Sequence, residues 1–217
     1  MIRAELIDHM GDDVTVVNAA RVSFNKRSLP DVTGAVMERD AKLIHYLAKH
    51  NHFTPFTHPQ ITLRETVPIF VARQRFTHVV GFSYNEISRR YVDEPPQFYY
   101  PTEWRSRPDG SVKQGSGGVV EFNNQVQDHY AKVVEYAQRC YEQMLENHVA
   151  PEMARMVLPQ SMMTSYYVTG SLAAFARLYK QRIDGHAQKE IQILADQIGK
   201  IIAPLFPVSW QALTAGN

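Results

Sequence analysis

The sequence predicts an α+β fold, with a mixed or antiparallel sheet packed by helices and a mostly helical C-terminal half. Two patterns carry this. Residues 60–66 (QITLRET) alternate Ile61 and Leu63 with Gln60, Thr62 and Arg64, the period of a half-buried strand. Val126, Tyr130, Val133, Val134, Ala137, Tyr141, Met144 and Leu145 recur at helical spacing and form one stripe on a helix of about 25 residues. A chain of 217 residues fits one domain over 1–217, or one protomer of an assembly, and can bury a substantial core.

The elements follow in order. Residues 2–7 and 14–18 read as extended. Residues 35–50 repeat apolar positions near helical spacing, through Val36, Leu43, Ile44 and Leu47. Pro68 suits the first turn of a helix running to about Val80. The segment Arg105 to Gly118 (RSRPDGSVKQGSGG) has almost nothing to bury and reads as a flexible surface loop, either without a role or as a lid over a site. Pro151 starts a short helix that Pro159 ends. Residues 161–169 carry Thr, Tyr and Val in the manner of a strand. Ser171 is placed to N-cap a helix through Arg182, and a last helix runs from about His186 until Pro204 stops it.

Composition narrows the function. Hydrophobic residues are 44 % and charged residues 21 %, ordinary for a globular protein. No apolar run approaches the roughly 20 residues that span a bilayer. The start, MIRAELIDHM, is charged where a signal peptide is apolar. A cytoplasmic protein with no membrane partner is therefore expected. A net charge of +1 gives no reason to expect a nucleic acid partner. Cys140 is the only cysteine, so no intramolecular disulfide or thiolate metal cluster forms within one chain. It lies in the long helical stripe and reads as structural. Nine histidines are present without HExxH, so no metal is expected. Glycine fingerprints for nucleotides are absent too; GSGG lacks the helix and lysine of a P-loop.

Polar groups crowd into a few segments set in apolar sequence. Between Ser83 and Tyr91 stand Asn85, Glu86, Ser88, Arg89 and Arg90. Burial alone does not select such a run, because each group needs a partner once desolvated. Glu86 can balance the arginines, and a polar turn with an internal salt bridge is the plainer reading. Arg155 sits in PEMARMVLP, and Arg182 ends an apolar helix. Guanidinium groups in such places meet an anion, either a phosphate or a protein carboxylate such as Glu152, Asp184 or Glu190.

Together these segments resemble the flavin-dependent thymidylate synthase family. The resemblance runs in order through AARVSF (19–24), TPFTH (54–58), PIFVARQ (68–74), SYNEISRRY (83–91), ARMVLP (154–159) and RIDGHAQKEIQ (182–192). It implies a homotetramer with active sites shared between subunits. It also implies dUMP as acceptor, 5,10-methylenetetrahydrofolate as carbon donor, and NADPH as reductant of FAD. Gln74, Glu86, Ser88, Arg90, Arg155 and Arg182 match the family's dUMP positions, and Arg89 of the same turn goes with them. Arg182 matches the arginine that polarises the uracil ring. His52, Thr54 and His78 match the flavin region, to which Asn85, Ser171 and Arg177 are also assigned.

The chain departs from the family signature Arg-His-Arg, seven residues, Ser. Aligned on PIFVARQ and SYNEISRRY, that place holds Thr77-His78-Val79, with eight residues before Ser88. Arg75 or Arg177 is left to supply the missing guanidinium. Two rival readings follow: a related flavin-dependent hydroxymethylase of pyrimidine nucleotides, or a catalytically silent nucleotide binder. In the main reading no thiolate attacks the ring, since Cys140 lies away from every polar cluster. Electrostatic activation by Arg182 takes its place.

Overall fold

The structure, a computed structural model, describes residues 1–91, 94–108, 110 and 115–215. Its sheet is wholly antiparallel, in the order β1-β2-β4-β3. The strands are β1 (Arg3–Met10), β2 (Gln60–Pro68), β3 (Phe82–Glu86) and β4 (Met163–Ser171). The alternation expected at 60–66 is real. Ile61, Leu63 and Val67 point into the core with Tyr166 and Val168 of β4. On the opposite face, Thr62 and Thr169 share a hydrogen bond of 2.9 Å, and Arg64 donates to Ser165 at 3.1 Å.

Helices cover the apolar face. They are α1 (Asp13–Arg21), α2 (Glu38–Lys49), α3 (Ile69–Arg75), α4 (Asn123–Glu146), α5 (Pro151–Ala154), α6 (Leu172–Arg182), α7 (Lys189–Ile202) and α8 (Pro207–Thr214). Phe175 and Leu178 of α6, with Ile191, Leu194 and Ile198 of α7, complete the core against the sheet. Ser171 caps α6 as expected, accepting from the Ala174 N–H at 3.3 Å.

Four expectations need correction. Residues 14–18 are helical. Val14, Val16 and Val17 favour a strand locally, but Asp12 and Thr15 form a capping box, with Thr15 N–H donating to Asp12 at 2.8 Å. Burial of those valines then stabilises the helix. Next, α3 stops at Arg75 instead of near Val80. The Thr77 hydroxyl donates to the Gln74 carbonyl at 2.7 Å, and Gly81 at φ +79° turns the chain into β3. That strand occupies part of what read as a polar turn. The α4 stripe is narrower than expected: Val134 and Tyr141 are buried, while Val133 is 62 % exposed. Finally, α7 does stop short of Pro204, at Ile202, but it is not the last helix, because Pro207 occupies the first turn of α8.

The 105–118 segment is tied at its ends. Arg105 and Val119 form a bridge, and Ser106 N–H donates to the Gly118 carbonyl at 2.8 Å. Residues 109 and 111–114, which belong to the expected loop, lie outside the described residues. No described helix is long and apolar enough to cross a membrane.

Candidate active site

Three parts of the chain gather the chemically notable side chains. The first is a cavity of about 710 Å³ beside α3 and the β2–β4 pair. Arg3, Arg64, Arg73, Arg89 and Arg155 line it, with Glu86 and Glu94. Five guanidinium groups against two carboxylates suit this cavity to an anion. Glu86 does not balance the arginines through an ion pair among the described residues; its carboxylate accepts from the Thr164 hydroxyl at 2.6 Å. Arg89 donates to the Glu94 carbonyl, and Arg155 Nε to the Glu152 carbonyl at 3.3 Å. Arg90, next to Arg89 in sequence, does not line the cavity; its guanidinium lies 5.3 Å from the Tyr91 ring centre. The Ser88 hydroxyl accepts the Arg90 N–H at 3.4 Å, shaping the turn after β3.

The second part forms where α6 ends against the α3–β3 connection. Arg182 Nε donates to His78 Nε2 at 2.9 Å, and its Nη2 to Thr77 Oγ1 at 3.4 Å. The other guanidinium N–H groups have no partner among the described residues. Burial, then the neighbouring Arg182, Arg75 and Arg177 charges, push the His78 pKa down to about 4. The imidazole is therefore neutral at pH 7 and can accept from Arg182. Burial also lowers the Arg182 pKa below the usual guanidinium value, and the group stays cationic. Gln74 bonds Gln188 nearby, and Arg177 donates to the Val80 carbonyl.

The third part is a cavity of about 720 Å³ lined by Arg21, Ser23, Phe24, Tyr46, His52, Thr54 and His58, among others. Thr54 belongs to a 3-10 turn, Thr54–Thr57, in which Pro55 fixes the backbone early. Arg21 pairs with buried Asp40, yet Arg21 Nε and Asp40 Oδ2 are buried without a partner. Such orphaned groups are costly and fit a site completed by a polar ligand.

Glu86, Arg89 and Arg155 thus share one cavity, His78 and Arg182 touch, and His52 and Thr54 share another cavity. Arg182 lines neither of the two cavities, so the single chain does not bring all the expected residues together. Asn85 is exposed on the edge strand opposite Tyr167. The Ser171 hydroxyl is buried in its capping role. Arg75 cannot stand in for a flavin-contacting arginine, because it is fully buried against Glu65. Glu190 pairs with Arg105 at 2.7 Å, not with Arg155 or Arg182, and Asp184 with His186 at 2.9 Å. Arg3, Arg64 and Thr77 were not singled out from sequence. Arg64 gave one usable sign, its place on the polar face of an alternating strand.

Comparison with known proteins covers nearly the whole chain. A family model described as thymidylate synthase complementing protein matches residues 5–208. A flavin-dependent thymidylate synthase of Thermosipho africanus is 38 % identical over 95 % of this chain and 88 % of its own length. The one from Thermus thermophilus is 37 % identical, over 95 % and 73 %. Among solved structures, the UMP/dUMP methylase PolB from Streptomyces cacaoi bound with 5-Br dUMP has a TM-score of 0.86 at 31 % identity. It covers 99 % of this chain and 95 % of its own. The same methylase bound with 5-Br UMP also gives 0.86, at 30 % identity, over 99 % of this chain and 94 % of its own.

Proposed function

Because this chain belongs to the thymidylate synthase complementing protein family, we propose that it is a flavin-dependent methyltransferase converting dUMP to dTMP. In this reading 5,10-methylenetetrahydrofolate donates carbon, NADPH is the reductant, and no cysteine serves as nucleophile. The enzyme works in the cytoplasm.

The contact of Arg182 with His78 carries the reading. Uracil C5 attacks carbon only when the ring gains electron density. A cation that donates N–H groups to the ring edge stabilises the negative charge that then develops. Arg182 is half-buried, fixed at Nε, and has N–H groups to spare. Arg155 and Arg90 hold the phosphate, aided by Arg89, since planar guanidinium groups grip phosphate oxygens at two points. Ser88, Glu86 and Gln74 orient the nucleotide. Cys140 lines neither of the two cavities.

The 720 Å³ cavity suits FAD. His52, Thr54 and the orphaned Arg21 Nε offer polar contacts, while Tyr46 and Phe24 offer rings to a flat heterocycle. Asn85 and Arg177 are the other residues assigned to that cofactor; the Ser171 hydroxyl is taken up in capping α6 and His78 faces Arg182. When bound, FAD supplies hydride chemistry that no amino-acid side chain provides. The separation of the site's parts within one protomer supports a homotetramer in which the 83–91 turn of one chain completes the site of another.

The test begins with the absorption spectrum of the purified protein, where bound flavin absorbs near about 450 nm. NADPH oxidation is then followed with the folate, with and without dUMP, and the product is weighed. The reading expects dUMP-dependent oxidation and a methyl group on the base, also in Cys140→Ala. A hydroxymethyl product would favour the related hydroxymethylase, and a colourless, inert protein the silent binder. Similarity to a UMP/dUMP methylase favours UMP as a second acceptor, which the same assay reads with UMP in place of dUMP.

A further inference from the structure

A chain of buried polar contacts runs from the core to Arg182. Glu65 on β2 and Arg75 at the end of α3 are both fully buried. They meet at two points, Nε to Oε2 at 3.0 Å and Nη2 to Oε1 at 3.1 Å. Tyr166 donates to the same carboxylate at 2.7 Å. Arg75 Nη1 donates to the Tyr84 hydroxyl, and the guanidinium carbon sits 4.4 Å from the Phe82 ring centre. The Tyr84 hydroxyl donates to the His78 carbonyl at 2.7 Å. His78 Nε2 then accepts from Arg182 Nε at 2.9 Å.

Arginine is a long side chain that samples many rotamers when it is unpaired. A carboxylate partner would fix it but would also neutralise the charge that a reaction needs. A neutral imidazole fixes its direction and leaves the full positive charge facing outward. A buried ion pair contributes little stability over an apolar pair of equal size, so the Glu65–Arg75 pair is better explained by geometry than by stability. We propose that His78 is a positioning residue, an acceptor that aims Arg182, held in place by Tyr84 on the Glu65–Arg75 pair. The proposal rests on the assignment of Arg182 to the uracil ring, and it gives His78 a task other than contact with the cofactor.

The experiment compares the wild-type holoenzyme with His78→Leu and His78→Gln. It measures kcat, KM for dUMP, bound flavin and melting temperature. The leucine variant is expected to lose kcat by about 10- to 100-fold, the scale of a misplaced catalytic group, with little change in KM or flavin content. Glutamine, whose amide oxygen can accept the same N–H, is expected to restore most of kcat. Full kcat in His78→Leu, loss of its flavin, or equal losses in both variants would overturn the proposal. Should His78→Leu fail to fold, Tyr84→Phe replaces it: lowered kcat supports the proposal, and unchanged kcat overturns it.

A second arm does not depend on turnover. Nitrogen-15 NMR of the wild type reads which ring nitrogen of His78 carries the proton. The clamp requires Nδ1–H, leaving Nε2 as acceptor; an Nε2–H tautomer would overturn it. A protein that makes no dTMP but shows Nδ1–H would defeat the uracil assignment and leave the clamp standing.

Discussion

The carboxylate of Asp13 accepts the backbone N–H of Ser209 at 2.9 Å, tying the first helix to the last. Its other oxygen accepts the Val208 N–H at 2.8 Å. Asp13 thus caps α8 from across the fold, where the first N–H groups of the helix have no carbonyl partner within the helix. Asp13→Ala is expected to cost about 1–3 kcal/mol in urea unfolding, the range for losing a buried charged acceptor. Stability equal to wild type would show that α8 is capped in another way.

The Glu65–Arg75 pair makes a different prediction. Arg75→Met leaves the Glu65 carboxylate buried without a counter-charge, which should cost about 3–5 kcal/mol. Replacing both, as Glu65→Leu with Arg75→Met, should cost less than the single change. A chemical denaturation series on the three proteins decides this. A double variant no more stable than Arg75→Met would contradict it.

The sign of one pH effect follows from His78. Its pKa falls from 6.5 to about 4 on folding, first through burial and then through the neighbouring arginines. Between those values the unfolded chain binds the proton and the folded chain does not. Stability therefore rises with pH across this window and is lost as pH falls through it. Above the window His78 adds no pH dependence. His78→Gln should flatten the stability curve between pH 4 and 6.5. Parallel curves for the two proteins would refute this.

Local pattern made much of this fold legible. The alternation at Ile61 and Leu63 reports directly which face of β2 is buried, and Ser171 announces α6 because a capping hydroxyl acts on its own neighbours. Collinear motifs pointed to Arg155, Arg182 and the 83–91 turn. Contacts between distant residues were not legible. From sequence Arg75 reads as a substitute for the missing flavin-contacting guanidinium, and only the folded chain brings Glu65 and Tyr84 around it. Arg3 and Arg64 join Arg155 in one cavity because β1 pairs with β2, a register that composition does not reveal. The 14–18 error has the same origin in reverse: β-branched valines favour extension, but the Asp12–Thr15 cap and burial outweigh a preference of less than about 1 kcal/mol per residue.

The most direct test of the whole account is dTMP formation by Arg182→Ala, assayed with dUMP, NADPH and the folate beside wild type. With folding and flavin content intact, kcat should fall about 100- to 1,000-fold, the scale of removing a donor that stabilises developing charge. Wild-type turnover in Arg182→Ala would show that the guanidinium does not activate the ring.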